Sequence, residues 1–573
     1  MSASARTQAP ERAPGSHRSS SQTRFGFRAW VPRLRASRGL LTLLALLLAL
    51  GGCDCGGSSA PDGATLSPDG PPARPTLRLL VLTDLSGKLE PCGCTSRPLG
   101  GIDRLAGQLR ALREEAPSLL LLAGDTLFGA GAGQAEGAET QERWQAEALV
   151  EILGDLEADA IAPGARDLGL GLRAFEQITT RASFPWLAAG VRPDPERRGG
   201  LGRLLLLERG GLRIGIVGVS ALEDEAGALP EGLRREIPPL EAARTGAAEL
   251  RRSGAELVIA LGHGDRRLGR GLSALEGVDF AILGGLDRSE AMPPIEGDPG
   301  WILHAGRQGQ GLLVVDLYRV GAGPYADQSE WGRALERAQL EAEADELRDR
   351  IAEWAREGRT AEADLETQRS RLVRMREQAE ALESPAPWPE GNAFEARMIE
   401  IAPEMEPDAA IRARLDAHFR RINEHNRSAL AEQRPPPLPE GAAGYVGDLR
   451  CAECHAPAHQ WWQQTPHGRA YATLVERDRQ YDLDCVGCHV TGYRRPGGST
   501  AVHNEGLVNV GCEVCHGPGS LHLDDPEGHA LELEFQERLC RRCHSEEHSD
   551  RFEFETYRAM LRAPGHGLPP ESP

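Results

Sequence analysis

The strongest constraint on this chain lies in its last quarter. A five-residue word, C-x-x-C-H, occurs there four times: Cys451-Ala-Glu-Cys454-His455, Cys485-Val-Gly-Cys488-His489, Cys512-Glu-Val-Cys515-His516 and Cys540-Arg-Arg-Cys543-His544. Two thiols three positions apart with an imidazole directly behind them form the attachment word of c-type haem. The thiols add to the vinyl groups of the macrocycle, and the adjacent His reaches the iron from one face as proximal ligand. Paired C-x-x-C is also a zinc word, but zinc needs no His behind each pair. The pattern therefore predicts four covalently attached haem c groups, with His455, His489, His516 and His544 as proximal ligands. Few long aliphatic runs occur between Gly444 and Arg551, so the cofactor is expected to supply the apolar mass around which this region folds.

The chain has twelve cysteines. Eight belong to the haem words; Cys92 and Cys94 form a C-x-C, and Cys53 and Cys55 follow a leucine run, which leaves no spaced set for a disulfide framework. Residues 1–39 carry eight arginines against the single acid Glu11, and Leu40 to Leu50 is almost wholly apolar. A basic region, a short apolar stretch and small residues describe a secretory signal, and the run is too short to span a bilayer. Leu50-Gly51-Gly52-Cys53 resembles the bacterial lipobox, which implies a signal peptide over residues 1–52, cleavage before Cys53 and lipidation of its thiol. The expected location is the periplasm-facing cell envelope, as a lipoprotein of the inner or outer membrane. Residues 53–76, rich in Gly, Ser, Pro and Asp, read as a flexible tether. A formal charge of -20 argues against nucleic acid as a partner.

From Leu77 short apolar runs recur at Leu77–Thr83, Leu119–Ala123, Leu212–Val219, Leu257–Leu261, Phe280–Leu283 and Leu312–Leu317, with helical patterns between several of them. Buried strands alternating with helices predict a layered α/β domain over residues 77–325. Polar residues stand where the strands end, the usual place for a site in such folds: Asp84-Leu-Ser86-Gly, Gly124-Asp125, Gly164-Ala-Arg-Asp167, Gly262-His263-Gly and Gly284-Gly-Leu-Asp287. This order resembles the calcineurin-like metallophosphoesterases, in the branch of periplasmic 5'-nucleotidases, over roughly residues 77–320. The resemblance implies an α/β sandwich whose family pattern (D-x-H, G-D, G-N-H-[DE], a lone His, G-H-x-H) binds two metal ions that activate water. Here the pattern is degenerate. Asp84, Asp125 and His263 match ligands, while Ser86, Ala165, Arg166, Gly285 and Asp287 replace the Asn and the remaining imidazoles. A remnant site is expected, with no resident divalent metal and no phosphoester hydrolysis.

Glu90-Pro-Cys92-Gly-Cys94 lies in the first of these loops, so Cys92 and Cys94 are a candidate redox or metal-binding pair, or else a structural disulfide. Residues 326–384 turn to Glu, Arg, Ala and Leu with two helically spaced apolar series on either side of Gly358. They predict a charged helical hairpin or short coiled coil, serving as spacer or for self-association. Residues 385–440 are read as a helix, about 409–433, followed by the Pro-rich linker Pro435–Pro439; His418 and His425 on that helix are expected at the surface.

The haem region, residues 441–560, is expected to be mainly helical and irregular, with a tail over 561–573. Trp462-Gln-Gln-Thr-Pro-His467-Gly-Arg-Ala470, Asp484-Cys-Val-Gly-Cys-His-Val-Thr-Gly-Tyr493 and Val510-Gly-Cys-Glu-Val-Cys-His-Gly-Pro-Gly519 resemble the tetrahaem cytochromes that accept electrons from hydroxylamine oxidation. The resemblance implies three irons held by two His each and one with an open axial position. His467 and His522 are the leading distal ligands; a third comes from His503, His529 or His548, and His459 is not expected to ligate. The expected function is electron transfer at a membrane surface, with a redox protein as donor or acceptor. The alternatives are a haem-based reductase of a small nitrogen or oxygen species, and a metal-dependent phosphoester hydrolase with an attached cytochrome.

Overall fold

A computed structural model describes residues 74–91, 97–133, 136–194, 200–223, 227–286, 291–358, 360–532, 536–545, 548–549 and 552–561. The expected signal, the tether up to residue 73 with the lipidated Cys53, the Cys92–Cys94 pair and Asp287 lie outside the described residues. No helix among the described residues is long and apolar enough to cross a membrane.

All six apolar runs are strands, as expected of continuous hydrophobic segments buried on both faces. Chain order begins β1 (Leu77–Thr83), α1 (Ile102–Glu115), β2 (Ser118–Gly124), α2 (Glu139–Asp155), β3 (Ala160–Pro163) and α3 (Leu172–Thr179). Short strands follow: β4 (Trp186–Leu187), β5 (Val191–Pro193), β6 (Leu201–Gly202) and β7 (Leu204–Arg209). Next come β8 (Leu212–Ser220), β9 (Leu233–Arg235), α4 (Pro239–Arg252), β10 (Leu257–His263), α5 (Arg266–Ser273) and β11 (Phe280–Gly284). The unit continues through β12 (Met292–Glu296), β13 (Trp301–His304), β14 (Gly311–Tyr318) and β15 (Tyr325–Asp327), and β16 (Asn392–Glu400) completes it.

Two sheets result. One has the order β15-β16-β14-β1-β2-β3-β4-β6, the other β12-β13-β11-β10-β8-β7. Leu79, Val81, Leu119 and Leu121 of the first meet Ile214, Ile216, Ile259 and Phe280 of the second in one dry layer. Helices α1, α2 and α3 cover the outer face of the first sheet; α4 and α5 cover that of the second. The result is a four-layer α/β/β/α sandwich.

The strand β16 was not expected. It pairs antiparallel with β14 from Gly311↔Glu400 to Tyr318↔Ala393 and parallel with β15. Its buried apolar residues, Ala393, Phe394 and Ala396, are too few to stand out from the surrounding charged sequence. The hairpin is therefore an excursion between two adjacent strands. It consists of α6 (Glu330–Glu357), ended by Gly358 in the left-handed conformation at φ 64°, and α7 (Glu362–Ala381). Ala344, Leu347 and Ile351 pack against Leu365 and Met375.

The helix α8 (Ala409–Ala429) joins the helical layer over the first sheet. Asp408 caps it by accepting from the amides of Ala410 and Ile411, and Ile411, Leu415, Phe419 and Ile422 enter the same apolar cluster as α1 and α2. The expectation that His418 lies at the surface is corrected: it is 9% exposed, close enough to Asp482 of the haem region to feel its charge. His425 is half-buried against the Trp144 ring, with centroids 4.9 Å apart.

The described residues of the haem region form short helices: α9 (Asp448–Cys451), α10 (Ala456–Trp462), α11 (Ala470–Val475), α12 (Val486–His489), α13 (Cys512–His516), α14 (Ser520–Asp524), α15 (Glu537–Cys540) and α16 (Phe554–Met560). Its own apolar cluster is small: Val486, Val490 and Ala501 with Leu430 from the end of α8. So little buried hydrocarbon is what a segment folding around large cofactors requires.

Candidate functional site: the haem words and a carboxylate–histidine cluster

Each haem word begins or lies in a short helix or turn. Buried acids lock the turns together. The Glu513 carboxylate, 3% exposed, accepts from the amides of Val446, Gly447 and Gly519 at 2.8–3.1 Å. Asp448, in the turn before the first word, accepts from the Cys512 amide at 2.8 Å. The first and third words are thereby held side by side. The second and fourth words also come together, with Cys488 beside Cys543.

The imidazoles carry the clearest geometry. The rings of His455 and His522 are stacked at 22° with centroids 6.4 Å apart; those of His467 and His544 lie 6.3 Å apart. Metal–imidazole bonds are about 2 Å long, so two imidazoles on opposite faces of one iron have centres roughly 6 Å apart. The two leading distal candidates, His522 and His467, each lie at that spacing from the His of a different haem word. Nδ1 is engaged in four of the rings: His489 with the Ala470 carbonyl (2.6 Å), His516 with that of Glu532 (2.7 Å), His522 with that of His529 (3.0 Å) and His544 with Ser549 Oγ (3.2 Å). An Nδ1–H bonded this way fixes the tautomer and leaves Nε2 for a metal. The donor set and its spacing fit haem.

His503 is not brought to a haem word in this way. Its Nε2 meets the Ala431 carbonyl at 2.7 Å and also the Arg434 guanidinium, so the nitrogen a metal would need is taken by the chain leaving α8. His459 is buried against Trp462.

Away from the haem words, the strand ends of the sandwich gather Asp84 (after β1), Asp125 (after β2) and His263 (end of β10). One ligand atom from each lies within 4.8 Å of the others. Asp84 adopts a left-handed backbone at φ 47°, a conformation Asp tolerates better than most residues. Its carboxylate accepts from the Asp125 amide (3.2 Å) and the Gly285 amide (2.8 Å), and burial raises its pKa. Glycines make the room: a Cβ at Gly124 would stand 2.1 Å from Asp84 Oδ1, and one at Gly164 2.1 Å from Asp125 Oδ1. Asp167 is fully buried and accepts from the amides of Thr126, Leu127 and Gly164. It braces the loop, and burial pushes its pKa well up.

These residues do not fit a pair of metal ions. Arg166 places its guanidinium 3.5 Å from Asp125 Oδ2, and Gly285 offers no side chain. The three donors present suffice for one ion. His263 Nδ1 is buried without a hydrogen-bond partner, while its Nε2 lies 3.7 Å from Asp125. His304, which sequence reading missed, stands behind the cluster: 1% exposed, its Nδ1 is 2.8 Å from the Leu283 carbonyl and its Nε2 is unpartnered. No motif marked it, because it ends a strand without neighbouring polar residues.

The haem region is joined to the sandwich by buried polar contacts. Gln141 of α2 donates to Asp482 Oδ1 (2.7 Å) and accepts from Asn426 of α8 (2.7 Å) and the Leu483 amide (3.1 Å). Asn423 and Asn426 also bond the backbone of Tyr481. Arg479 lies over the Phe419 ring at 3.7 Å and bridges Glu90 (2.5 Å) and Asp482 (2.8 Å).

Comparison with known proteins agrees with both halves. A family model described as cytochrome c554 and c-prime matches residues 450–517. Cytochrome c-554 of Nitrosomonas europaea is 37% identical over 93 residues, 13% of this chain and 40% of that protein. Snake venom 5'-nucleotidase of Crotalus adamanteus is 27% identical over 224 residues, 36% of either chain. The chain thus spans well under two thirds of the length of these curated relatives. Among solved structures, a 5'-nucleotidase precursor from Thermus thermophilus superimposes with a TM-score of 0.41 at 18% identity, covering 63% of this chain and 61% of that one. A sulfate thiohydrolase, SoxB, gives 0.41 at 16%, covering 62% of each. The chain therefore joins an N-terminal region similar to 5'-nucleotidases to a C-terminal region similar to cytochrome c554.

Proposed function

We propose that this chain is a tetrahaem c-type electron carrier, exported and held at the membrane surface by a lipid on Cys53, with a nucleotidase-like unit that does not hydrolyse phosphoesters. The observation that supports the reading is the distance of His522 and His467 from His455 and His544, 6.4 and 6.3 Å between ring centres. When bound, each haem would supply a one-electron couple, its iron passing between ferric and ferrous states. The chain's part is to hold the thiols and imidazoles in place, to exclude water by the turns locked on Glu513 and Asp448, and to keep Nε2 of each ring available. Two imidazoles per iron favour electron transfer over ligand chemistry.

The test is the haem content and EPR spectrum of the oxidised protein, with and without nitric oxide. Four haems per chain with mainly low-spin signals support the reading. Fewer than four haems would sink it, and a high-spin signal that shifts with nitric oxide would favour a reductase of small nitrogen species.

A second reading, a metal-dependent hydrolase, is favoured only by the Asp84–Asp125–His263 cluster. The Arg166 guanidinium beside Asp125 opposes it, because a fixed positive charge disfavours a cation at the same carboxylate. Elemental analysis for Mn, Zn and non-haem Fe, with phosphodiester turnover by the whole chain, separates the two. Bound metal with turnover would overturn the inactive assignment.

A further inference from the structure

Glu90 lies in the loop that begins at Asp84, and its side chain reaches the haem region. Its carboxylate sits between two guanidiniums, Arg479 at 2.5 Å and Arg412 at 2.6 Å. Glu90 is 11% exposed, Arg479 14% and Asp482 3% at the side chain. Asp482 is part of the turn that starts the second haem word. Its carboxylate accepts from the Asp484 amide at 3.0 Å, and its carbonyl accepts from the amides of Cys485 (3.1 Å) and Val486 (2.9 Å). Arg479 lies within electrostatic reach of the Cys485 thiol. A largely buried row of alternating charges, from the partly exposed Arg412 of α8 through Glu90 and Arg479 to Asp482, therefore ends against the attachment point of the second haem, and Glu90 brings the nucleotidase-like unit into it.

Charges in such a place act on a redox couple. Accepting one electron lowers the charge of an iron centre by one unit. A nearby carboxylate favours the oxidised form and a guanidinium favours the reduced one, and burial strengthens both effects because the local dielectric is low. We propose that Glu90 and Arg479 are positioning residues that set the reduction potential of the second haem, and that the nucleotidase-like unit serves the cytochrome as its electrostatic partner through them. The inference rests on the tetrahaem reading and adds a role for the sandwich that does not depend on its carboxylate–histidine cluster.

The experiment is a spectroscopic redox titration of the full haem-loaded chain. The parental protein should resolve into four one-electron components. Glu90→Gln removes a negative charge while keeping shape, and should move one midpoint upward and leave three in place. Arg479→Gln should move the same midpoint downward, and Arg479→Lys, which keeps the charge, should bring it back toward the parental value. A merely structural role would not give shifts of opposite sign. Four resolved components that stay in place in Glu90→Gln overturn the proposal, as does a common drift of all four. Glu90→Gln decides the matter where Arg479→Gln does not fold. A parental titration without four haem components would instead overturn the tetrahaem reading beneath it.

Discussion

His467 and His418 show how differently two histidines of one chain are used. His467 lies 6.3 Å, ring centre to ring centre, from His544 of the fourth haem word, 77 positions away in sequence. His467→Ala should convert one low-spin haem to high-spin, read as a new high-spin EPR signal with total haem content unchanged; a spectrum identical to the parent would remove His467 from the ligand set. His418 packs beside Phe419 with its Nε2 unpartnered. Burial lowers its pKa from 6.5 to about 4. The unfolded chain therefore binds a proton below pH 6.5 that the folded chain refuses until about pH 4. The group does not affect stability above pH 6.5, and it destabilises progressively as the pH falls through that window, with a slope of at most about 1.4 kcal/mol per pH unit. Denaturation followed by circular dichroism at about pH 7 and about pH 5, on either side of the unfolded-state titration, should show this loss, and His418→Gln should reduce it. An equal loss in the variant would show that other groups carry the acid sensitivity.

Among the elements, α8 does the most joining. One side places Leu415, fully buried, among Ile411, Phe419 and Ile422 against α1 and α2; another presents Asn423 and Asn426 to the haem region. Leu415→Ala should cost about 2–5 kcal/mol through lost burial and the cavity left behind, measured as a lower urea midpoint. A change under about 1 kcal/mol would mean that the helix is not part of the sandwich core. The element was legible as a helix from Ile411, Leu415, Phe419 and Ile422 on one side. Its burial was not, because a linker and a solvated helix are equally consistent with the charged residues between them.

For the whole molecule, the consequence is that cytochrome and sandwich meet through specific side chains as well as through the connecting chain. Gln141 bonds α8 and the turn before the second haem word at once. Gln141→Leu would leave the buried Asp482 carboxylate and the Asn426 amide each short of a partner, at a cost of about 1–3 kcal/mol. Limited proteolysis should then cut the segment after α8 faster and release a haem-bearing fragment. Unchanged cleavage would indicate that the contact does not hold the two parts together.

Local chemistry was legible in the chain before any fold was known: the four C-x-x-C-H words, the strands that are continuous apolar runs, and the loops where Asp84, Asp125 and His263 end three of those strands. These features were readable because attachment to haem and burial on both faces of a sheet are each decided within a short stretch of neighbouring residues. Other features exist only once the layers have packed. They include which imidazole lies near the His of which haem word, the bond of His503 to the Ala431 carbonyl, the return of β16 to the sheet after the helical hairpin, and the approach of Arg166 to Asp125. Packing likewise joined Glu90 to Arg479, 389 positions apart, and Gln141 to Asp482, 341 apart. Contacts at such separations depend on how layers stack and loops return, and no local period or motif in a single sequence encodes that.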